Sequence, residues 1–175
     1  MMSYPEDANA TKGILPMIGF RPMRQSEFSS YLDYFIPDYA AEISANYGLS
    51  SPEAVVQAKR EIAEDLPNGP DTSGQVLLCI TDSEKENAET IGYLWYRADT
   101  DSRTAFISDF HILPACQGNG YGKQALLALE IALAREGFEQ IRLRVAADNM
   151  RAQHIYKAGG FRTTGINMSK RIKAA

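Results

Sequence analysis

Gln117-Gly118-Asn119-Gly120-Tyr121-Gly122-Lys123 is the stretch on which the fold turns. It follows Thr104 to Leu113, a run of branched and aromatic residues that reads as a strand. It precedes Lys123 to Arg135, where Leu126, Leu129 and Leu133 recur at helical spacing. A turn from a strand into a helix presents bare backbone amides at the positive end of the helix dipole, and these attract anions. Glycines at 118, 120 and 122 remove side chains where the main chain must approach a ligand, and Lys123 adds a cation at the rim. The loop reads as a cradle for a phosphate or pyrophosphate. The bland alternative, a turn with no ligand, explains one or two glycines but not three in strict alternation.

Two familiar nucleotide cradles do not fit. A P-loop begins with glycine and places a hydroxyl after its lysine, but Gln117 and Gln124 occupy those places. The dinucleotide fingerprint needs GxGxxG after the first strand of a βαβ series, and this loop reads GxGxG later in the chain.

Working outward, Ile14 to Met23 reads as a first strand. Phe28, Leu32, Phe35, Tyr39 and Ile43 mark a helix from Ser26 to Tyr47, with Pro37 predicting a kink or the start of a second helix. Gly48 stops it. Ser51-Pro52-Glu53 opens a helix with a hydroxyl cap, a proline and an acid in the first turn, and Val55, Ala58, Ile62 and Leu66 line one face. Gln75 to Thr81 and Ile91 to Ala98 read as a hairpin around the polar loop 82–89. Gln140 to Ala147 alternates as a strand, Asp148 or Asn149 caps a helix through Ala158, and Phe161 onward returns to strand. This order predicts a mixed α/β domain with helices on both sides of a sheet.

The bulk properties set wide bounds. A chain of 175 residues suits a single domain, 1–175, with 1–13 as a loose tail. Its 45% hydrophobic and 23% charged content belongs to a globular protein rather than a disordered one. A net charge of -4 gives no electrostatic footprint for nucleic acid. No apolar run reaches membrane-spanning length and no secretory pattern opens the chain, so a cytoplasmic protein without a membrane partner is expected. Cys79 and Cys116 are expected to be reduced thiols. With His111 and His154 they form no ligand spacing, so no metal is expected.

The chemistry-bearing loop resembles that of the GNAT N-acetyltransferase superfamily. The superfamily pattern (Gln/Arg)-x-x-Gly-x-(Gly/Ala) is matched by Gln117, Gly120 and Gly122, with Pro114 upstream. Its later pattern, Asn-x-x-Ala-x-x-x-Tyr-x-x-x-Gly-Phe, is matched by Asn149, Ala152, Tyr156, Gly160 and Phe161. The resemblance is strong from Thr104 to Phe161. Tyr39-Ala40-x-Glu42 and Asp65-Leu66-Pro67-x-Gly69 are similar to a group of bacterial members without an assigned substrate.

The resemblance implies a mostly antiparallel sheet of six to seven strands with one splayed pair. It implies acetyl-CoA as the donor, with its pantetheine arm along His111, Ile112 and Asn149. Gln117, Gly118, Asn119, Gly120, Tyr121, Gly122 and Lys123 would hold the pyrophosphate. The acceptor would be a primary amine of a small molecule or a peptide, and homodimers are common among members. A non-catalytic sensor of acetyl-CoA or CoA on the same fold is the alternative, and a longer acyl donor stays open.

Amine acetylation needs a neutral amine, yet a lysine-like amine has a pKa of about 10.4. It also needs an oxyanion donor, for which a backbone N–H near Ile112 is the candidate, and a proton for the leaving thiolate. The resemblance makes Tyr156 that proton donor, against its reading as a core tyrosine. Strand alternation puts Ala105, Ile107, Asp109 and His111 on one face, with Asp109 and His111 about 7 Å apart. Asp109, an acid in an apolar strand, is the candidate base, or else a buried acid satisfied by backbone or arginine. His111 reads more readily as packing beside the cofactor, and His154 as a surface residue. Arg144 stands where several protein N-terminal acetyltransferases carry a glutamate, which argues against that substrate class. Tyr34, Tyr39 and Glu42 are either acceptor-pocket residues or ordinary members of a helix face.

Overall fold

The computed structural model describes residues 18–82, 89–170 and 172. Five strands, β1 (Ile18–Pro22), β2 (Gln75–Asp82), β3 (Thr90–Asp99), β4 (Thr104–Ile112) and β5 (Gln140–Leu143), form one sheet in chain order. The first four pair antiparallel, and β5 joins β4 in parallel. The mixed sheet and its order match expectation. The count does not, since the described residues carry five strands. Among the described residues from Phe161 onward no strand forms, and Ile166 and Met168 stand 79% and 93% exposed. The start of the first strand, the tail at 1–13 and the tip of the hairpin loop lie outside the described residues.

Among the described residues four α-helices cover the sheet: α1 (Gln25–Tyr47), α2 (Ser51–Asp65), α3 (Tyr121–Arg135) and α4 (Met150–Ala158). On one face Tyr31, Phe35, Ile62 and Leu66 pack against Leu77, Cys79 and Trp95. On the other, Leu126, Leu129 and Leu133 pack against Ile80, Leu94 and Ile107. Consecutive strand residues such as Cys79 and Ile80 point to opposite cores, as strand pleating requires.

Pro37 neither divides the helix nor starts a new one; α1 runs through it. Pro37 is exposed, so the carbonyl that loses its partner one turn earlier faces water. Gly48 ends α1 in the left-handed conformation (φ 67°) and donates to the Ser44 carbonyl. The cap of α2 is Ser50, one residue earlier than the sequence reading, because the Glu53 carboxylate accepts from both the N–H and the hydroxyl of Ser50.

Candidate active site

The site begins where β5 leaves the sheet. Its pairing with β4 runs from Thr104 opposite Gln140 to Ile107 opposite Leu143 and then stops. There β4 carries a bulge: Trp95 faces Asp109 and Tyr96 faces Ile107, leaving Ser108 as the extra residue. The bulge bends β4 away, and the expected strand over Gln140 to Ala147 ends at Leu143. The parting of β4 and β5 is the splay that the sequence resemblance implied.

The bulge also corrects the expected face. Ala105 and Ile107 join the α3 core, as do Phe110 and Ile112, while Asp109 and His111 turn toward α1. One inserted residue reverses the alternation, so the four residues do not share a side.

A cleft of about 340 Å³ fills the splay. His111 and Ile112 form one wall, Asn149, Arg151 and Tyr156 the opposite one, and Gln117, Gly118 and Gly120 to Lys123 the end. Gly118 and Gly120 have φ of 84° and 78°, in the left-handed region that side chains resist. Gly120 is the N-cap of α3 and offers no side chain to the amides of the first turn. Those amides have no acceptor within their own helix, which leaves the cleft as their direction of bonding. The Tyr121 hydroxyl donates to Asp82 at 2.9 Å, tying this turn to β2.

Leu113 N–H donates to the Ile91 carbonyl on β3 at 2.8 Å. Alternation along the strand therefore directs the Ile112 N–H to the other edge, into the splay. Asn119 alone of the predicted loop residues is not on the wall; its amide folds back to the Cys116 carbonyl at 3.2 Å. Asn149 lines the cleft and also caps α4, its Oδ1 accepting from the Ala152 N–H at 3.0 Å.

Asp109 lies behind the cleft rather than on its wall. Its carboxylate accepts from the Tyr31 and Tyr34 hydroxyls, each at 3.2 Å. Burial raises its pKa to about 7, against the lowering effect of those two bonds. Its partners are thus two phenols and the Phe110 backbone, so of the two partners considered from sequence the backbone is present and the arginine is not. Burial lowers the pKa of His111, which keeps the imidazole neutral at neutral pH. Tyr156 is raised to about 12, first by burial and then by Asp109, whose charge reaches it through the splay.

Of the helix residues considered for an acceptor pocket, only Tyr34 touches a residue of the cleft wall, by stacking on His111. Tyr39 donates to Glu61 at 2.5 Å, and Glu42 pairs with Arg144 at 3.7 Å. His154 is exposed, as expected. Sequence reasoning missed Tyr31, Cys116 and Arg151. For Arg151 a signal existed, because a cation in the first turn of a helix opposes the dipole and calls for a partner. That partner is Gln117.

The acetyltransferase (GNAT) family model matches residues 43–161. The uncharacterized N-acetyltransferase YycN of Bacillus subtilis strain 168 is 36% identical over 154 residues, covering 86% of this chain and 96% of that protein. YdgE of the same strain is 28% identical over 152 residues, with 86% and 95% covered. The crystal structure of B. subtilis YycN superposes with a TM-score of 0.82 at 33% identity, over 90% of this chain and 99% of that one. The PaiA N-acetyltransferase of Thermoplasma acidophilum, crystallised with coenzyme A, shares the fold at a TM-score of 0.65 and 18% identity, with 86% and 92% covered.

Proposed function

The chain belongs to the acetyltransferase (GNAT) family, and from that premise we propose that it moves an acetyl group from acetyl-CoA to a primary amine of a small molecule or peptide by direct attack. The observation that carries the reading is the glycine-capped start of α3 at the end of a cleft between parted strands.

The residues present fit such a donor. The loop from Gln117 to Lys123 offers main-chain amides and one lysine to a pyrophosphate. The open edge of β4 at Ile112 offers backbone groups to an amide-bearing arm, and Asn149 faces it across the cleft. When bound, acetyl-CoA supplies the activated acetyl carbonyl and a thiol leaving group. The Ile112 N–H is directed where it can donate to the carbonyl oxygen as negative charge develops there.

Tyr156 stands on the wall with a phenol that stays protonated up to about pH 12, a reserve of protons for a departing thiolate whose parent pKa is about 8.5. Asp109, held near 7, is matched to receive a proton from the acceptor at neutral pH. A thermal-shift screen with acetyl-CoA, ATP and NAD, followed by thiol release with a panel of polyamines and lysine derivatives, tests the proposal. Stabilisation by acetyl-CoA alone and amine-dependent thiol release are the expected results. Binding without release on any amine would leave the sensor reading instead.

A further inference from the structure

Both oxygens of the Asp109 carboxylate are taken by phenols from one helix: Tyr31 donates to Oδ2 and Tyr34 to Oδ1. The two tyrosines sit three residues apart, the spacing that brings side chains together on one helix face. They are not equivalent. Tyr31 is 0% exposed and its ring is packed by Phe28, Phe35 and Tyr93. Tyr34 is half-buried, and its ring lies flat on the His111 imidazole, with centroids 3.7 Å apart and planes 22° apart. His111 forms a wall of the cleft and Asp109 does not. Of the two donors to the carboxylate, Tyr34 is therefore the one that adjoins the cleft, through the His111 ring that forms its wall.

From this arrangement we infer that Tyr34 is a catalytic residue whose phenol relays the proton of the acceptor amine to Asp109. The inference rests on the reading of the protein as an amine acetyltransferase. The step balances without another reactant. An N–H bond of the ammonium breaks and its proton binds Tyr34 Oη, while the proton that Tyr34 held moves to Asp109 Oδ1. The amine is left with its lone pair, the phenol is restored and the carboxylate is neutralised. Burial holds the Tyr34 pKa far above its ordinary value, so the phenol stays neutral at rest and the negative charge resides on Asp109.

The groups that set the behaviour of Asp109 come from each surrounding element. Tyr31, Tyr34 and Asp38 face it from α1, Tyr156 from α4 and His111 from its own strand, while Tyr93 on β3 packs against both tyrosines. Burial raises its pKa most, the two phenol bonds and the Phe110 backbone bond lower it, and Asp38 raises it.

The test compares kcat/KM for the amine against pH in the wild type, Tyr31→Phe and Tyr34→Phe, with a carbon-13 NMR titration of the Asp109 carboxyl in each. The wild-type rate rises with pH as Asp109 ionises. Tyr31→Phe removes one donor to the carboxylate, so the rise moves to higher pH and the plateau drops by no more than about threefold. Tyr34→Phe moves the rise likewise and also lowers the plateau by about 30-fold or more, the low end of a proton-transfer role, with the KM for acetyl-CoA unchanged. Equal plateaus in the two variants would overturn the relay. Should Tyr34→Phe fail to fold, a ring-fluorinated tyrosine at position 34 keeps the shape and acidifies the phenol. A plateau changed by about threefold or more supports the relay, and an unchanged one overturns it. A wild type that releases no thiol with any amine sinks the proposed function itself, and this inference with it.

Discussion

Arg151 donates to the Gln117 side chain at 2.7 Å, and Gln117 in turn donates to the Ile112 carbonyl at 2.8 Å. One glutamine thus ties the first turn of α4 to the end of β4 across the mouth of the cleft. Gln117→Ala cuts both ties and frees the loop that α3 depends on for its entry. Each bond is exposed and contributes about 1 kcal/mol. The expected outcome is a five- to tenfold rise (~1 kcal/mol) in the KM for acetyl-CoA with kcat little changed, read from steady-state thiol release. A loss confined to kcat would show that the glutamine acts on the chemistry instead.

Gly120→Asp probes the cradle. A Cβ at position 120 has room, its nearest neighbour being the Gln124 amide at 3.8 Å, so the cost lies in the left-handed backbone and in charge. Aspartate tolerates that conformation better than most residues, so the fold persists at a cost of about 1 kcal/mol. The carboxylate then repels a pyrophosphate where it is expected to bind. Calorimetric titration with acetyl-CoA should show no binding, while the circular dichroism spectrum stays native. Retained affinity would place the phosphates elsewhere.

The reach of sequence reasoning can be traced residue by residue. The α3 helix and its glycine-rich entry were legible because Leu126, Leu129 and Leu133 repeat at helical spacing beside the glycines. The splay was legible only through the resemblance. The bulge at Ser108 was not, since Ala105, Ile107, Asp109 and His111 alternate as an unbroken strand would. The change of side comes from pairing with β3, which no local pattern encodes. Pro37 left a kink and a new helix both open, and only the new helix is ruled out, because α1 continues through it where the orphaned carbonyl can reach water. The phenol partners of Asp109 lay on α1, distant in sequence, where Tyr31 carries no signal and Tyr34 reads equally as an acceptor-pocket residue or an ordinary helix-face one.

Tyr156→Phe removes the phenol but keeps the ring, which packs near Phe161 with centroids 5.5 Å apart. The fold and the binding of acetyl-CoA should survive. Turnover should slow by about 10- to 100-fold, in the range of a lost general acid. With its phenol raised to about 12, the wild type should show no alkaline fall in kcat from this residue below about pH 11. A mutant as fast as the wild type would remove Tyr156 from the reaction.

Away from the site, Arg21 grips both oxygens of Glu27, at 2.8 and 2.6 Å, and also the Thr90 hydroxyl at 2.9 Å. The Arg21 hydrogen bonds lower the Glu27 pKa to about 2 in the folded chain, against about 4.3 when unfolded. Because the folded value is the lower one, the stabilisation is present above about pH 4.3 and fades as the pH falls toward 2. The pair is partly exposed, so Glu27→Gln should cost about 1 kcal/mol at neutral pH, or about 3 °C in Tm. That gap should narrow in melts taken at successively lower pH. A gap independent of pH would mean that packing, not charge, holds the pair.

A crystal structure with coenzyme A bound bears most directly on the start of α3. The pyrophosphate oxygens should lie about 3 Å from main-chain nitrogens between Gly118 and Lys123, with the arm passing Ile112 and Asn149. Density for the phosphates anywhere else, or a cleft that stays empty at saturating ligand, would contradict the assignment of that helix end as the grip on the donor.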